Sequence, residues 1–244
     1  MAENSNDPRR EPRGDQSYKH IEWLQKGYRG EYYAIRSGQL GEDEYVSGRV
    51  AERVMLEDQN QLDTLTGLLN KRGISETLEK VVVRERSHGR PVGAIIFDID
   101  NFKLGINDTL GHVVGNKVLR EMGILLREVA ENGWEMARFG GEEFMLVLPG
   151  VSGRGLVEAA NLIGNKISES LAARVGNPEL PMVTVSLGAG IVRVSEGFED
   201  LENRVDQLMY KAKRADPDGT SGRQRGFVQL GNGDLVMVDF GRKV

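Results

Sequence analysis

The spacing of apolar positions in this chain changes repeatedly after residue 62, in the way expected of alternating strands and helices. Residues 91–99 (PVGAIIFDI) are almost continuously apolar, which is typical of a central strand that is buried on both faces. Four other segments carry apolar residues at helical spacing and predict helices: 70–87, 113–129, 156–171 and 201–213.

Shorter segments rich in β-branched and aromatic residues predict the remaining strands. They lie at 134–139, 144–148, 182–194, 227–230 and 235–240. The order of elements predicts an α+β fold with a ferredoxin-like, palm-type βαββαβ core, in which a central, mainly antiparallel sheet is flanked by helices. A C-terminal β-hairpin at 227–240 adds to this core, since Gly231-Asn-Gly-Asp234 is a strong turn signal.

The first quarter of the chain differs from the rest. Residues 1–16 are polar and aperiodic and predict a disordered tail, whereas 17–62 predict a helical extension that precedes a domain at 63–244. Val46, Val50 and Val54 form a narrow apolar stripe in this extension. Such a stripe packs either on its own domain or on a second copy of the chain, and the sequence leaves both open.

Composition narrows the possible functions. The chain of 244 residues has no cysteine, which excludes disulfides, cysteine-ligated metals and a thiol nucleophile. The net charge of -5 argues against nucleic acid as a partner. The N-terminus is polar, and no apolar run approaches the roughly 18–20 residues that span a bilayer. We therefore expect a cytoplasmic protein without membrane insertion.

Carboxylates cluster at the end of the central strand and in the next hairpin. Asp98 and Asp100 close the strand beside Lys103, and two residues of spacing let both acids face one metal. Gly140-Gly-Glu-Glu143 forms a turn whose glycines let the backbone approach a ligand. Each cluster alone also fits a polar strand end or a solvated turn. Together they suit Mg²⁺ with a nucleoside triphosphate, and hence nucleotidyl transfer.

Six ordered motifs resemble the GGDEF domain of diguanylate cyclases over roughly residues 60–226. They are DTLTGLLN at 63–70, DIDNFK at 98–103, NDTLGH at 107–112, RFGGEEF at 138–144, VSLG at 185–188 and LMYKAK at 208–213. The resemblance implies an enzyme that joins two GTP molecules into cyclic di-GMP and releases pyrophosphate. It also implies a homodimer, Mg²⁺ or Mn²⁺ as cofactor, and an unidentified regulatory partner.

The resemblance also assigns site residues. The metal ligands are Asp98, the carbonyl of Ile99 and an acid of the turn. Of the two turn acids, one is expected to bind metal and the other to help deprotonate the ribose hydroxyl, with the assignment left open. Further substrate contacts fall on Phe102, Lys103, Asn107, Gly140, Gly141, Lys213 and Arg223, with Arg225 as the alternative to Arg223. His112 either contacts substrate or packs at a helix start.

Departures from the family pattern raise specific questions. Asn116 stands where the family usually has Asp. Its amide offers guanine one acceptor and an unfavourable donor but could pair with the N1 and 6-amino group of adenine, so ATP is a possible substrate. One extra residue separates Lys103 from Asn107, and Gly105 is the candidate to absorb it. Glu131-Asn-Gly-Trp134 replaces the family's product-binding Arg-x-x-Asp, so we expect no inhibitory site there.

Three functions remain in competition. An active diguanylate cyclase leads, because the glycines and acids of the turn are intact. The alternatives are a cyclase with altered base choice, whose product contains adenine, and a catalytically silent signalling module that binds GTP or a cyclic dinucleotide. A palm domain acting on nucleic acid fits poorly with the acidic chain.

Overall fold

The computed structural model describes residues 61–131, 133–214 and 225–240. The predicted tail at 1–16 and the extension at 17–62, except for its last two residues, lie outside this part of the chain. Gln61 is in a turn and Leu62 forms a β-bridge with Leu69, so the helical extension predicted over 17–62 is wrong at those two positions.

Five helices and six strands follow in the predicted order within the described residues. The helices are α1 Lys71–Ser87, α2 Asp108–Leu110, α3 His112–Val129, α4 Gly153–Val175 and α5 Phe198–Lys213. The strands are β1 Val92–Ile99, β2 Glu135–Arg138, β3 Glu143–Pro149, β4 Val185–Ile191, β5 Arg225–Gln229 and β6 Leu235–Asp239. A π-helical turn at Phe102–Asn107 and the short α2 were not predicted. None of the described helices is long and apolar enough to cross a membrane.

The strands form one sheet in the order β2-β3-β1-β4-β5-β6. Neighbouring strands are antiparallel except β4 and β5, which are parallel. The α+β prediction is therefore confirmed, including the C-terminal hairpin of β5 and β6. The central position of β1 explains its continuous apolar sequence, since all eight of its residues are buried.

Helices cover both faces of the sheet and divide its core in two. On one face, Ile95 and Phe97 of β1 pack in a cluster with residues of α3 and α4. On the other face, Ala94 and Ile96 pack with residues of α1 and α5. Because successive strand residues alternate between faces, Asp98 belongs to the α1 and α5 face.

Local sequence explains where the main helices begin and how closely one can pack. The side chain of Asn70 accepts a hydrogen bond from the backbone N–H of Gly73 at 2.9 Å and caps α1. Gly188 of β4 lets α5 approach the sheet, because a Cβ there would lie 2.1 Å from the carbonyl oxygen of Val205. Helix α5 thereby reaches the end of β1 with its last residue, Lys213.

The outer edge of β2 is covered by the segment that leads into α1. The Leu69 N–H donates to the Met136 carbonyl at 3.0 Å, and the Arg138 N–H donates to the Leu69 carbonyl at 2.8 Å. Leu69 also forms a parallel bridge with Ala137. The strand that enters the Gly-Gly turn is thus bonded on both of its edges.

Candidate active site

Two of the predicted acids face each other across neighbouring strands. Asp98 near the end of β1 is directly opposite Glu143 at the start of β3. Directly opposed residues of antiparallel strands point to the same face, with Cβ atoms about 4.5–5.5 Å apart. The sheet register therefore brings these two carboxylates together on the α1 and α5 face.

A cavity of about 270 Å³ opens beside this pair. Six of the predicted site residues line it: Asp98, Ile99, Phe102, Lys103, Glu142 and Lys213. Asp100, Asn101 and Leu104 complete the lining. The structure thus brings together residues from the end of β1, the π-helical turn, the Gly-Gly turn and the end of α5.

Lys213 is held at the cavity by a carboxylate. Its Nζ lies 3.0 Å from Oδ2 of Asp98, and these side chains are 33% and 11% exposed. The guanidinium of Arg225 donates to the carbonyls of Ala212 and Arg214 at 3.3 and 2.8 Å and so fixes the end of α5. Arg225 was the alternative phosphate contact, but its buried position and these bonds indicate that it orients the segment carrying Lys213.

The two turn acids lie in an environment that disfavours their ionised forms. Burial, and then repulsion from Asp98, raises the pKa of Glu142 above its ordinary value, while Lys213 opposes the shift. The pKa of Glu143 is raised by the same two causes in the same order. The part of each shift that comes from Asp98 is electrostatic repulsion, which a cation bound between these groups would relieve.

This donor set fits a divalent metal ion. Carboxylate and carbonyl oxygens are the ligands that Mg²⁺ and Mn²⁺ prefer. Several of the coordination positions of Mg²⁺ are usually filled by water or by substrate oxygens. Within the described residues, no three acids or histidines are grouped closely enough to hold an ion by side chains alone. A metal here would depend on few protein ligands, with a nucleotide supplying the others.

Arg138, which the sequence analysis did not name as a site residue, holds the Gly-Gly turn by hydrogen bonds to its backbone. Its Nε and Nη2 donate to the Gly141 carbonyl at 3.0 and 2.7 Å, and its Nη1 donates to Oδ2 of Asp63 at 3.1 Å. Burial raises the pKa of Asp63, but hydrogen bonds from Thr66 and the charge of Arg138 outweigh it, so the pKa is lowered. The sequence signal that could have identified Arg138 was its position two residues before Gly140 and Gly141.

Gly140 provides the space that the side chain of Glu143 occupies. A Cβ on Gly140 would lie 2.3 Å from Oε2 of Glu143. The N–H groups of Phe139 and Gly140 both donate to the Glu143 carbonyl, at 2.8 and 3.3 Å. The turn is therefore closed on Glu143, while Glu142 is left to line the cavity.

The predicted base contacts gather on the other side of the sheet end, near α3. Phe102 and Asn107, at the two ends of the π-helical turn, both pack on Gly115, where a Cβ would lie 3.3 Å from Phe102 Cζ and 1.9 Å from Asn107 Oδ1. Asn116 follows Gly115 in the first turns of α3 and is exposed. His112 is the exposed first residue of α3, so the packing role considered for it is not seen.

Asp100 has a different environment from Asp98. Its two carboxylate oxygens accept hydrogen bonds from the hydroxyls of Thr184 and Ser186, both at 2.7 Å. These bonds join the end of β1 to β4. Asp100 is therefore better suited to holding the strand end than to binding the metal, which removes one of the two candidates.

Two other expectations concern the surroundings of the site. Arg223 lies outside the described residues. Trp134, which stands in place of the family's product-binding acid, is 8% exposed and packs in the core cluster. A buried indole offers no carboxylate to a ligand, and the absence of an inhibitory site at that position stays a prediction.

Comparisons with known proteins show which family this chain resembles. The profile of the family described as "Diguanylate cyclase, GGDEF domain" matches residues 60–218. Diguanylate cyclase DgcP of Pseudomonas aeruginosa is 38% identical over 168 residues, which are 67% of this chain and 24% of that protein. Response regulator PleD of Caulobacter vibrioides is 35% identical over 163 residues, which are 66% of this chain and 36% of that protein. The chain thus spans about a quarter to a third of the length of these relatives.

Solved structures show the same fold. Diguanylate cyclase SiaD of Pseudomonas aeruginosa, in complex with its activator SiaC, matches with a TM-score of 0.60 and 29% identity, over 82% of this chain and 75% of that one. The active GGEEF domain of a diguanylate cyclase from Vibrio cholerae matches with a TM-score of 0.53 and 30% identity, over 60% of this chain and 92% of that one. Since the family profile covers more than half of the sequence, the chain belongs to the GGDEF domain family of diguanylate cyclases.

Proposed function

We propose that this chain is a metal-dependent diguanylate cyclase that condenses two GTP molecules into cyclic di-GMP. Each ribose 3′-oxygen attacks the α-phosphorus of the other nucleotide, so two P–O bonds form, two bridging P–O bonds break and two pyrophosphates leave. The observation that carries the proposal is the shared cavity, in which Asp98, Glu142, Lys103 and Lys213 converge. Two acids and two ammonium groups in one cavity suit a metal-bound triphosphate.

The geometry supports different roles for the two turn acids. Asp98 and Glu143 are opposed in the sheet register, so we assign them, with the Ile99 carbonyl, to the metal. When bound, the metal neutralises phosphate charge and lowers the pKa of the attacking hydroxyl. Glu142 lines the cavity beside Asp98, and we assign its carboxylate to accept the proton of that hydroxyl.

The lysines at the cavity are assigned to the phosphates. In the described structure the Lys213 ammonium is paired with Asp98. With Asp98 engaged as a metal ligand, the Lys213 ammonium would be free to pair with the triphosphate. Lys103 lines the same cavity from the π-helical turn. We further propose that two copies of the chain face each other in the reaction, because the product joins two nucleotides and each copy contributes one such cavity.

Incubation of the purified protein with GTP and Mg²⁺, followed by mass spectrometry of the products, tests the proposal. We expect cyclic di-GMP and pyrophosphate. Glu142→Gln should lower kcat at least about 100-fold while metal affinity changes little, because it removes the proton acceptor alone. Glu143→Gln should weaken the binding of Mn²⁺, measured by calorimetry. Binding of GTP without any product from the wild-type protein would instead support the silent signalling module.

A second candidate, altered base choice, is favoured by one observation. Asn116 is exposed one residue beyond Gly115, on which Asn107 packs, so both amides lie beside the same glycine and we assign both to the purine base. An amide offers one acceptor where two guanine donors need partners. Asn116→Asp should lower the KM for GTP about tenfold and leave that for ATP unchanged or higher. An unchanged ratio of the two KM values would exclude this reading of residue 116.

A further inference from the structure

The π-helical turn separates the phosphate end of the cavity from the predicted base contact. It runs from Phe102 to Asn107, and the N–H of Asp108 donates to the Lys103 carbonyl across five residues. The turn begins at Asn101, whose φ of 56° is left-handed. A π turn contains one more residue per hydrogen-bonded loop than an α turn, and such turns are frequent at functional sites.

A side-chain hydrogen bond closes this turn in addition to the backbone hydrogen bond. The hydroxyl of Thr109 donates to the Leu104 carbonyl at 2.8 Å, again across five residues. The side chain of Leu104 is 71% exposed at the rim of the cavity. Burial in the core fixes Phe102 and Ile106 but not Leu104, so the hydroxyl bond restrains the turn at a position that packing does not hold.

The position of the Asn107 amide depends on that shape. Asn107 Oδ1 lies so close to Gly115 that a Cβ would meet it at 1.9 Å, and Phe102 contacts the same glycine from the other end of the turn. A looser turn would change the distance between these two contacts. It would therefore shift the Asn107 amide relative to Gly115.

We propose that Thr109 is a positioning residue for the nucleotide base. Its hydroxyl closes the π-helical turn, and the closed turn holds Asn107 on Gly115 beside Asn116. The inference rests on the proposed function, since Asn107 is assigned to the base of GTP. Thr109 itself does not contact the nucleotide in this account.

The test compares Thr109→Val, which keeps the shape but removes the donor, with Thr109→Ser, which keeps the hydroxyl. Calorimetry with a non-hydrolysable GTP analogue and Mg²⁺ on the full chain gives Kd, and steady-state assays give KM and kcat. For Thr109→Val we expect Kd and KM about threefold to tenfold higher and kcat changed less than twofold. Thr109→Ser should match the wild-type protein, and equal Kd values for all three proteins would overturn the proposal.

Two further measurements separate this inference from the proposed function. Hydrogen exchange at the Asp108 amide, measured without nucleotide, should accelerate in Thr109→Val and not in Thr109→Ser. Deletion of Gly105 shortens the turn by one residue, and in that background Thr109→Val should no longer change Kd. If the wild-type protein does not bind the GTP analogue, the proposed function fails, and unchanged exchange at Asp108 would overturn the role of Thr109 independently.

Discussion

Replacing Arg138 by lysine tests how the Gly-Gly turn is held in place. The guanidinium makes three hydrogen bonds, two to the Gly141 carbonyl and one to Asp63. A lysine ammonium keeps the charge but has no fork with which to reach both acceptors. Arg138→Lys therefore removes the link between the turn and the first loop of the domain without removing a positive charge.

The structure sets the expected size of the effect. The side chains of Arg138 and Asp63 are 16% and 20% exposed, so their pair is shielded from solvent. Hydrogen bonds to charged groups contribute about 1.5–3 kcal/mol, and lysine retains part of that, so we expect a loss of about 1–2 kcal/mol. For a domain of this size, that lowers Tm by roughly 2–8 °C.

The effect should depend on pH in a defined direction. The pKa of Asp63 is lowered in the folded protein, so its ionised form stabilises the fold above its unfolded pKa of about 3.9. This contribution is lost as the pH falls through the lower, folded pKa. The part of the wild-type stability that comes from Asp63 should therefore disappear once the pH is below its folded pKa, and the remaining difference then reports the bonds to Gly141.

Urea unfolding followed by circular dichroism, together with steady-state assays, checks this prediction. Arg127→Lys is the matched control, because Arg127 Nη1 donates to the Thr66 carbonyl at 3.0 Å in the same loop but does not touch the turn. We expect both variants to lose stability and only Arg138→Lys to lose about fivefold or more in kcat/KM per folded molecule. Equal losses of activity in the two variants would refute the reasoning.

Three other substitutions have defined outcomes. Gly140→Ala places a Cβ 2.3 Å from Oε2 of Glu143, so it should raise the Kd for Mn²⁺ in calorimetry while secondary structure stays unchanged. Glu143→Gln should raise Tm in metal-free protein, and more at about pH 8 than at about pH 4, because the raised pKa of Glu143 makes its ionised form unfavourable in the fold. Gly188→Ala directs a Cβ at the Val205 carbonyl and should lower the unfolding free energy by about 2 kcal/mol or more in urea titrations.

The periodicity of apolar residues predicted all the long elements, and the element that it missed has a physical explanation. β1 was recognisable because helices on both faces require an unbroken apolar run. The π-helical turn at Phe102–Asn107 has no comparable signal, since its six residues include a charge, a glycine and two buried side chains. Its form depends on hydrogen bonds that reach beyond the turn, to Asp108 and Thr109.

The candidate site was predictable as a set of residues but not as a set of contacts. Spacing indicated that Asp98 and the turn acids share a site, and the sheet register then paired Asp98 with Glu143. The bond between Arg138 and Asp63 joins residues 75 positions apart. The partners of Asp100, Thr184 and Ser186, lie more than 80 residues further along the chain, so no local sequence pattern predicts these hydrogen bonds.

The covered edge of β2 has a practical consequence for experiments on shortened proteins. Leu69 occupies the backbone groups of Met136 and Arg138 that would otherwise face outward. Unpaired strand edges recruit other strands, and a protein that starts after Leu69 would expose this one. We expect its copies to join edge to edge through β2, and a sizing column would then report a dimer that the longer protein does not form by this edge.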